Sequence, residues 1–419
     1  MNKKLIAALI GLSFAGAASA QAQSGVVLYG IVDGGLRWDR TNSGTLSSVV
    51  GGGASGSRLG VRGSEDLGGN LKANFVLEQG VDISDNSVPQ GDVAGATSTA
   101  PRTSTGGRFF GRVATVGLSG NFGNLRLGRD YSPYYNAWSA ADPFGAGTVG
   151  TVTNIAAGNI TRFDNGIYYD LPSNLLAGFR GSLALRLGES STSNGGPVAV
   201  PVGTTATGTC TVTGVPAATP VSCPTTAPGA VANADKNSGN AASLSLGYAN
   251  GPIYAAYGFM NVKNVTGASG RVRSHTLAGS YDFGVVKAHG LWWSSKDNFG
   301  APALSSDTRS WALGLSGSAG GVNLMADYGR LDDRSANDFD ARFFAVGATY
   351  ALSRRTDFYA AASKMRNRNG AHYLISDASN SGLQTSVGAT AAVPAALFTG
   401  NVPAGFSPAA LQVGVRHRF

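Results

Sequence analysis

Leu411-Gln412-Val413-Gly414-Val415-Arg416-His417-Arg418-Phe419 closes the chain. In an extended strand successive side chains point to opposite faces, so Leu411, Val413, Val415, His417 and Phe419 share one face. That face is largely apolar, and the other carries Arg416 and Arg418. A strand apolar on one side and cationic on the other suits a wall between lipid and water. The opposite end of the chain supports this setting. Lys3 and Lys4, the apolar run Leu5 to Ala17 and the small-residue site Ala18-Ser19-Ala20 form a secretory signal peptide at 1–20, with cleavage after Ala22 the alternative. The mature chain, residues 21–419, reads as one transmembrane β-barrel domain whose closing strand ends at Phe419.

Composition agrees. The 419 residues include 61 glycines and only 13% charged side chains, a bias towards strands and turns. Beyond the signal, charges interrupt every apolar run before the ~20 residues a membrane helix needs. A soluble core of this size tends to split above ~250–300 residues; a barrel escapes that limit because lipid covers its apolar face. The formal charge of +8 falls to +6 once Lys3 and Lys4 are removed.

Period-two alternation predicts sixteen strands, near 26–38, 55–65, 69–84, 107–120, 122–130, 160–171, 175–189 and 240–250, then 252–264, 272–283, 284–297, 306–319, 320–332, 340–351, 355–368 and 408–419. Short connections such as Asp66-Leu67-Gly68-Gly69-Asn70, Asn121-Phe122-Gly123-Asn124 and Asn250-Gly251-Pro252 carry turn residues and belong on the periplasmic side. Longer connections, among them 39–54, 131–159, 190–239 and 369–407, belong outside. Eighteen strands is the alternative, should 190–239 and 369–407 hide further strands. The predicted class is therefore all-β, an antiparallel transmembrane barrel wide enough to hold water.

Strand parity then assigns side chains to the lumen. Leu59 and Val61 facing lipid put Arg58 and Arg62 inside; Val113 and Thr115 outward put Arg112 inside; Leu125 and Leu127 outward put Arg126 inside. Phe163 and Ile167 outward do the same for Arg162, and Phe179, Leu183 and Leu185 outward for Arg180 and Arg186. Asp33, Glu78, Asp164 and Asp170 are candidate carboxylate partners. A wall lined with arginine lowers the entry barrier for anions, and guanidinium does not titrate away.

Val27-Leu28-Tyr29-Gly30-Ile31-Val32-Asp33, Ser57-Arg58-Leu59-Gly60-Val61-Arg62-Gly63, Val116-Gly117-Leu118-Ser119 with Leu127-Gly128-Arg129, Tyr350-Ala351-Leu352-Ser353-Arg354-Arg355-Thr356 and the terminal Val413 to Phe419 resemble, in order, the general porins of Gram-negative bacteria, the β-proteobacterial branch above all. The resemblance implies a homotrimer of 16-stranded barrels in the outer membrane, a third loop folded inward, and a basic cluster on the facing wall at Arg58, Arg112 and Arg162, with Arg62 next in line. It also implies that Asp142, in Asp142-Pro143-Phe144-Gly145, is the acidic tip of that loop, that Ile31 replaces a common lysine, and that Phe419 is read by the outer-membrane insertion machinery. Asp142, Glu78 and Asp33 form the expected acidic side of the constriction.

The expected function is diffusion of small hydrophilic solutes and ions with anion preference; a substrate-specific anion channel and a surface adhesin or receptor built on the long loops are the alternatives. Lipid and lipopolysaccharide are the expected surroundings. An enzyme would need a nucleophile, base and orienting group together, and His275, His289, His372 and His417 sit in no such motif. Gly51, Gly53 and Gly56 have dinucleotide-loop spacing without a following helix, and scattered arginines at lumen parity fit a channel better than nucleic acid. No cofactor or metal is expected. Cys210 and Cys223, twelve residues apart in an exported chain, are expected to form a disulfide rather than a zinc site.

Overall fold

In the computed structural model, residues 25–419 are described except 42–43, 85–108, 157–160, 173–174, 176, 189–239, 264–270, 299–306, 336–337, 372 and 379–404. The expected signal peptide, the Cys210–Cys223 pair and His372 lie outside the described residues.

The strands are β1 Gly25–Thr41, β2 Gly44–Gly51, β3 Arg58–Gly68, β4 Leu71–Gly80, β5 Val113–Gly120, β6 Gly123–Tyr131, β7 Arg162–Asp170, β8 Phe179–Arg186 and β9 Ala241–Asn250. They continue as β10 Ile253–Lys263, β11 Arg271–Asp282, β12 Lys287–Asn298, β13 Asp307–Ala319, β14 Val322–Asp333, β15 Ala341–Ala351, β16 Thr356–Asn367 and β17 Ala409–Arg418. Every ladder is antiparallel, and β1 pairs with β17 from Ile31↔Arg418 to Arg40↔Ala409, so the sheet closes on itself. Closure leaves no unpaired edge in lipid.

The region 39–54, expected as a loop, is instead the end of β1 and a hairpin partner, β2. The cause is visible in the pairing. β1 is 17 residues long and outlasts β3, which covers only Gly25 to Ile31; β2 covers the remainder, from Gly34↔Gly51 to Thr41↔Gly44. β2 and β3 thus lie end to end along one long strand, and the wall counts sixteen positions. The eighteen-strand alternative drew on 190–239 and 369–407, most of which lies outside the described residues. β8 pairs directly with β9, and β16 with β17, so the barrel closes without them.

Large apolar side chains point outward: Leu59, Val116, Leu127, Leu313 and Phe344 are all exposed on the isolated chain. Such a continuous surface is a liability in water and a lipid contact in a membrane. Among the described residues no helix is long and apolar enough to cross a membrane.

The interior is narrowed by residues 132–156, which leave β6 and fold inward as the family resemblance implied. Ser132 begins α1, Pro133–Ser139: its Oγ accepts from the Tyr135 N–H, and proline occupies the first turn, where no donor is needed. A 3-10 turn, Val152–Ile155, follows. Tyr134, Trp138, Phe144, Val152 and Ile155 are buried against inward-facing Met260, Trp293, Leu331, Phe343 and Met365. Burial of these five loop side chains is worth about 10 kcal/mol at the usual value per large apolar side chain.

Candidate channel constriction

The loop is fastened at several points. Tyr134 N donates to Ser243 Oγ (2.9 Å), Tyr254 OH to Ala137 O (2.7 Å), Thr148 N to Gly53 O (2.6 Å) and Val149 N to Gln412 Oε1 (3.1 Å). Within it, Asp142 is buried. Its Oδ1 accepts from Phe144 N, and its Oδ2 from Ala146 N and Thr151 Oγ1 (2.8 Å). Burial raises its pKa from 3.8 to about 6 despite these donors. Asp142 therefore corrects the expectation of an acidic tip facing the pore: it organises the turn of the loop.

Asp33 is likewise corrected. It is fully buried; Oδ1 accepts from Tyr359 OH (2.7 Å), and Oδ2 from Ala54 N (3.0 Å) and Ser55 N (2.7 Å). Those bonds hold residues 52–57, the break between β2 and β3, where Gly52 takes a positive φ of 90° that glycine accommodates.

Glu78 is the carboxylate that meets the arginines. Arg112 Nε donates to it at 2.7 Å, Arg58 Nη1 lies 3.7 Å away, and Tyr29 OH donates at 3.0 Å. Arg112 also donates to Tyr131 OH at 2.8 Å, and Arg162 donates to the same oxygen with its guanidinium 4.0 Å from the Tyr131 ring centroid. Tyr131 in turn stacks on Tyr135 of α1, centroids 5.2 Å apart. Arg58, Arg112 and Arg162 are thus brought together around Tyr131 and Glu78, at the point where β6 hands over to the inward loop.

Two parity arguments reached these arginines by a wrong route. Val113 pairs with the inward Glu78, and both Val113 and Thr115 are buried, so Ala114, Val116 and Leu118 are the lipid-facing set. Arg112 precedes β5 and is released from its alternation. Phe163 is not lipid-facing either: it is fully buried with Tyr134 and Trp138 inside the barrel. A register shift between Gly128 and Asp130, where β6 pairs β7, breaks the period there.

The other predicted arginines separate by partner. Arg126 is neutralised by Asp130 and by Asp170 at 2.8 Å. Arg62 lies over the Tyr29 ring, 5.4 Å to the centroid, and Arg180 faces inward from β8; neither has an ion pair among the described residues. Ile31, opposite both Arg58 and Arg418, faces inward and adds no charge there.

Sequence reasoning missed Arg416 and Arg418 as site residues, although the cationic face of the last strand was the signal. Both contact Asp357, at 3.0 and 2.6 Å, and Arg416 donates to Ser55 Oγ. Arg416 is paired in register with Asp33, and Arg418 with Ile31, which continues the basic surface across β17. Arg58, Arg62, Arg112, Arg162, Arg416 and Arg418 therefore stand against Glu78 and Asp357.

A closed barrel with an apolar exterior, an inward loop and a basic inner wall defines a water-filled outer-membrane channel. The sequence profile described as Gram-negative porin matches residues 6–370, and on that match the chain belongs to the Gram-negative porin family. It is 32% identical to outer membrane porin protein 32 of Delftia acidovorans over the whole of both chains. An outer membrane porin protein of Bordetella pertussis is 30% identical over 88% of this chain and 95% of its own. Among solved structures, the anion-selective porin from Comamonas acidovorans superposes with a TM-score of 0.70 at 29% identity, covering 95% of this chain and all of that one. The chain is a porin of the Gram-negative outer membrane, a class of channels rather than enzymes.

Proposed function

We propose that this porin is a homotrimeric general-diffusion channel with a preference for anions, set by Arg58, Arg112 and Arg162 and extended by Arg62, Arg416 and Arg418. The carrying observation is the charge imbalance: six guanidinium groups share two ion-paired carboxylates, Glu78 and Asp357, while Asp33 and Asp142 accept from backbone N–H and hydroxyl donors instead of from arginine. Fixed guanidinium groups attract anions at entry without a closed binding pocket to trap them. The name of the similar Comamonas protein, an anion-selective porin, supports the same sign.

The trimer and the partners of the outer surface belong to this reading. Phe419 exchanges backbone hydrogen bonds with Gly30, and its ring lies over that glycine on the lipid-facing side. The terminal aromatic is thereby available as an insertion signal until β17 closes against β1. Lipid and lipopolysaccharide surround the apolar exterior. Planar-bilayer recording of the purified protein in a salt gradient tests the function: three-step openings with a reversal potential towards the anion limit are expected. A potential at the cation limit would overturn the anion assignment, and folded, inserted protein without conductance would overturn the channel reading.

A further inference from the structure

The outer face carries a second basic group that the pore does not use. Arg330, Arg342 and Arg366 are directly opposed on β14, β15 and β16, because Arg330 pairs with Arg342 and Arg342 with Arg366. Directly opposed side chains lie on the same face. That face is the exterior: Tyr328, two residues from Arg330, and Phe344, two from Arg342, are exposed, whereas the alternate residues Leu331, Phe343 and Met365 are buried inside the barrel. Lys364 is opposed to Phe344, and Arg309 to Asp332, on the same surface.

This arrangement costs stability as it stands. Like charges directly opposite on neighbouring strands repel, and here the repulsion occurs twice in one row. Arg330 is compensated by Asp332 at 3.1 Å and Asp340 at 2.9 Å; Arg342, Arg366, Lys364 and Arg309 have no ion pair among the described residues. The depth of the row is also informative. Arg342 and Arg366 each stand one residue inside the ends of β15 and β16 that meet the long connections, hence the extracellular rim. Descending along the same row come Trp311 and Trp292, and Tyr328 and Phe344 lie one row below. Aromatic side chains of this kind mark the boundary of the hydrocarbon. The guanidinium groups therefore stand where the headgroups of the outer leaflet begin.

We infer that Arg309, Arg330, Arg342, Lys364 and Arg366 form a binding site on the barrel exterior for the phosphorylated headgroup of an outer-leaflet glycolipid, the phosphoglycolipid of lipopolysaccharide. Guanidinium matches phosphate with paired N–H donors, and one phosphate between two opposed arginines removes their repulsion while the acyl chains run down over Tyr328, Phe344 and Leu313. The inference rests on the outer-membrane placement above but not on the ion preference of the pore.

The test is binding of purified lipid A to detergent-solubilised protein by native mass spectrometry, comparing wild type with Arg330→Gln/Arg342→Gln/Arg366→Gln and lipid A with its dephosphorylated form. The expected result is at least a tenfold loss of affinity from either change, with no displacement by millimolar inorganic phosphate, which lacks the chains. Single-channel conductance and heat-modifiable gel migration of the variant are expected to match wild type, so a failed lipid site is distinguishable from a failed channel. If the triple variant does not fold, Arg342→Gln alone, at the centre of the row, is expected to weaken binding several-fold. Equal affinity of a folded variant, equal affinity for dephosphorylated lipid A, or full displacement by free phosphate would each overturn the site.

Discussion

Replacing Arg162 with glutamine isolates the charge of the constriction from its scaffold. Arg162 is held by the hydroxyl and ring of Tyr131 and has no carboxylate partner among the described residues, so its removal strands no buried acid. An ion passing about 6 Å from the guanidinium interacts by ~0.7 kcal/mol at the dielectric of water. Screening over a Debye length of ~8 Å at 0.15 M salt halves this to ~0.3 kcal/mol. Anions lose that attraction and cations lose the equal repulsion, a differential of ~0.7 kcal/mol, which is roughly a threefold fall in the anion-to-cation permeability ratio. The assay is the reversal potential of inserted channels across a KCl gradient at low and high mean salt, where the effect is expected to shrink as the Debye length falls to ~3 Å at 1 M. Glu78→Gln is expected to move the ratio a similar amount the other way, because it removes the carboxylate shared by Arg112 and Arg58. Arg162→Lys keeps the charge and is expected to keep most of the ratio. An unchanged reversal potential in Arg162→Gln, with folded and inserted protein, would refute the assignment of selectivity to this cluster.

Three further outcomes follow from the packing. Gly30→Ala would place a methyl 2.4 Å from Phe419 Cζ and 2.7 Å from Arg58 O, so slower closure of β17 on β1 is expected, read as a reduced fraction of heat-modifiable barrel in a refolding time course. Asp142 binds its proton more tightly in the folded loop than in the unfolded chain, so its contribution favours the fold at low pH and is lost as pH rises from about 4 towards about 6. Against the ordinary value of 3.8, that shift is on the order of 3 kcal/mol; thermal unfolding of Asp142→Asn is expected to lose this part of the pH dependence. Asp327 lies buried on β14 with no hydrogen-bond partner among the described residues for either carboxyl oxygen, close to Pro143 of the loop. Asp327→Leu replaces an unpartnered buried carboxyl by an apolar side chain of similar branched shape and is expected to raise the melting temperature by several degrees with conductance unchanged.

The barrel was legible because lipid imposes one rule on every strand: apolar residues outward, at period two. Leu59 with Val61 and Leu183 with Leu185 obey it, and their neighbours Arg58, Arg62, Arg180 and Arg186 face the water they were expected to face. The rule fails where the inside is not water. Residues 132–156 fill part of the lumen with apolar side chains, so an inward position such as Phe163, beside that packing, is as apolar as an outward one, and parity read from hydrophobicity inverts. The same cause hid the role of Asp142, since an acid in a pore loop and an acid folding the loop on itself look alike in sequence. β2 escaped for a different reason: Ser47 and Ser48 interrupt its apolar pattern, and only the overhang of β1 supplies it with a partner. Arg416 and Arg418 were visible as charge but not as site, because the closure that sets Arg418 opposite Ile31, and Ile31 opposite Arg58, joins the two ends of the chain. A selectivity surface assembled across that seam exists only once the barrel is closed. Its arginines can therefore acquire their joint field only after β17 has docked on β1, which couples the permeation property of the pore to the final step of its folding.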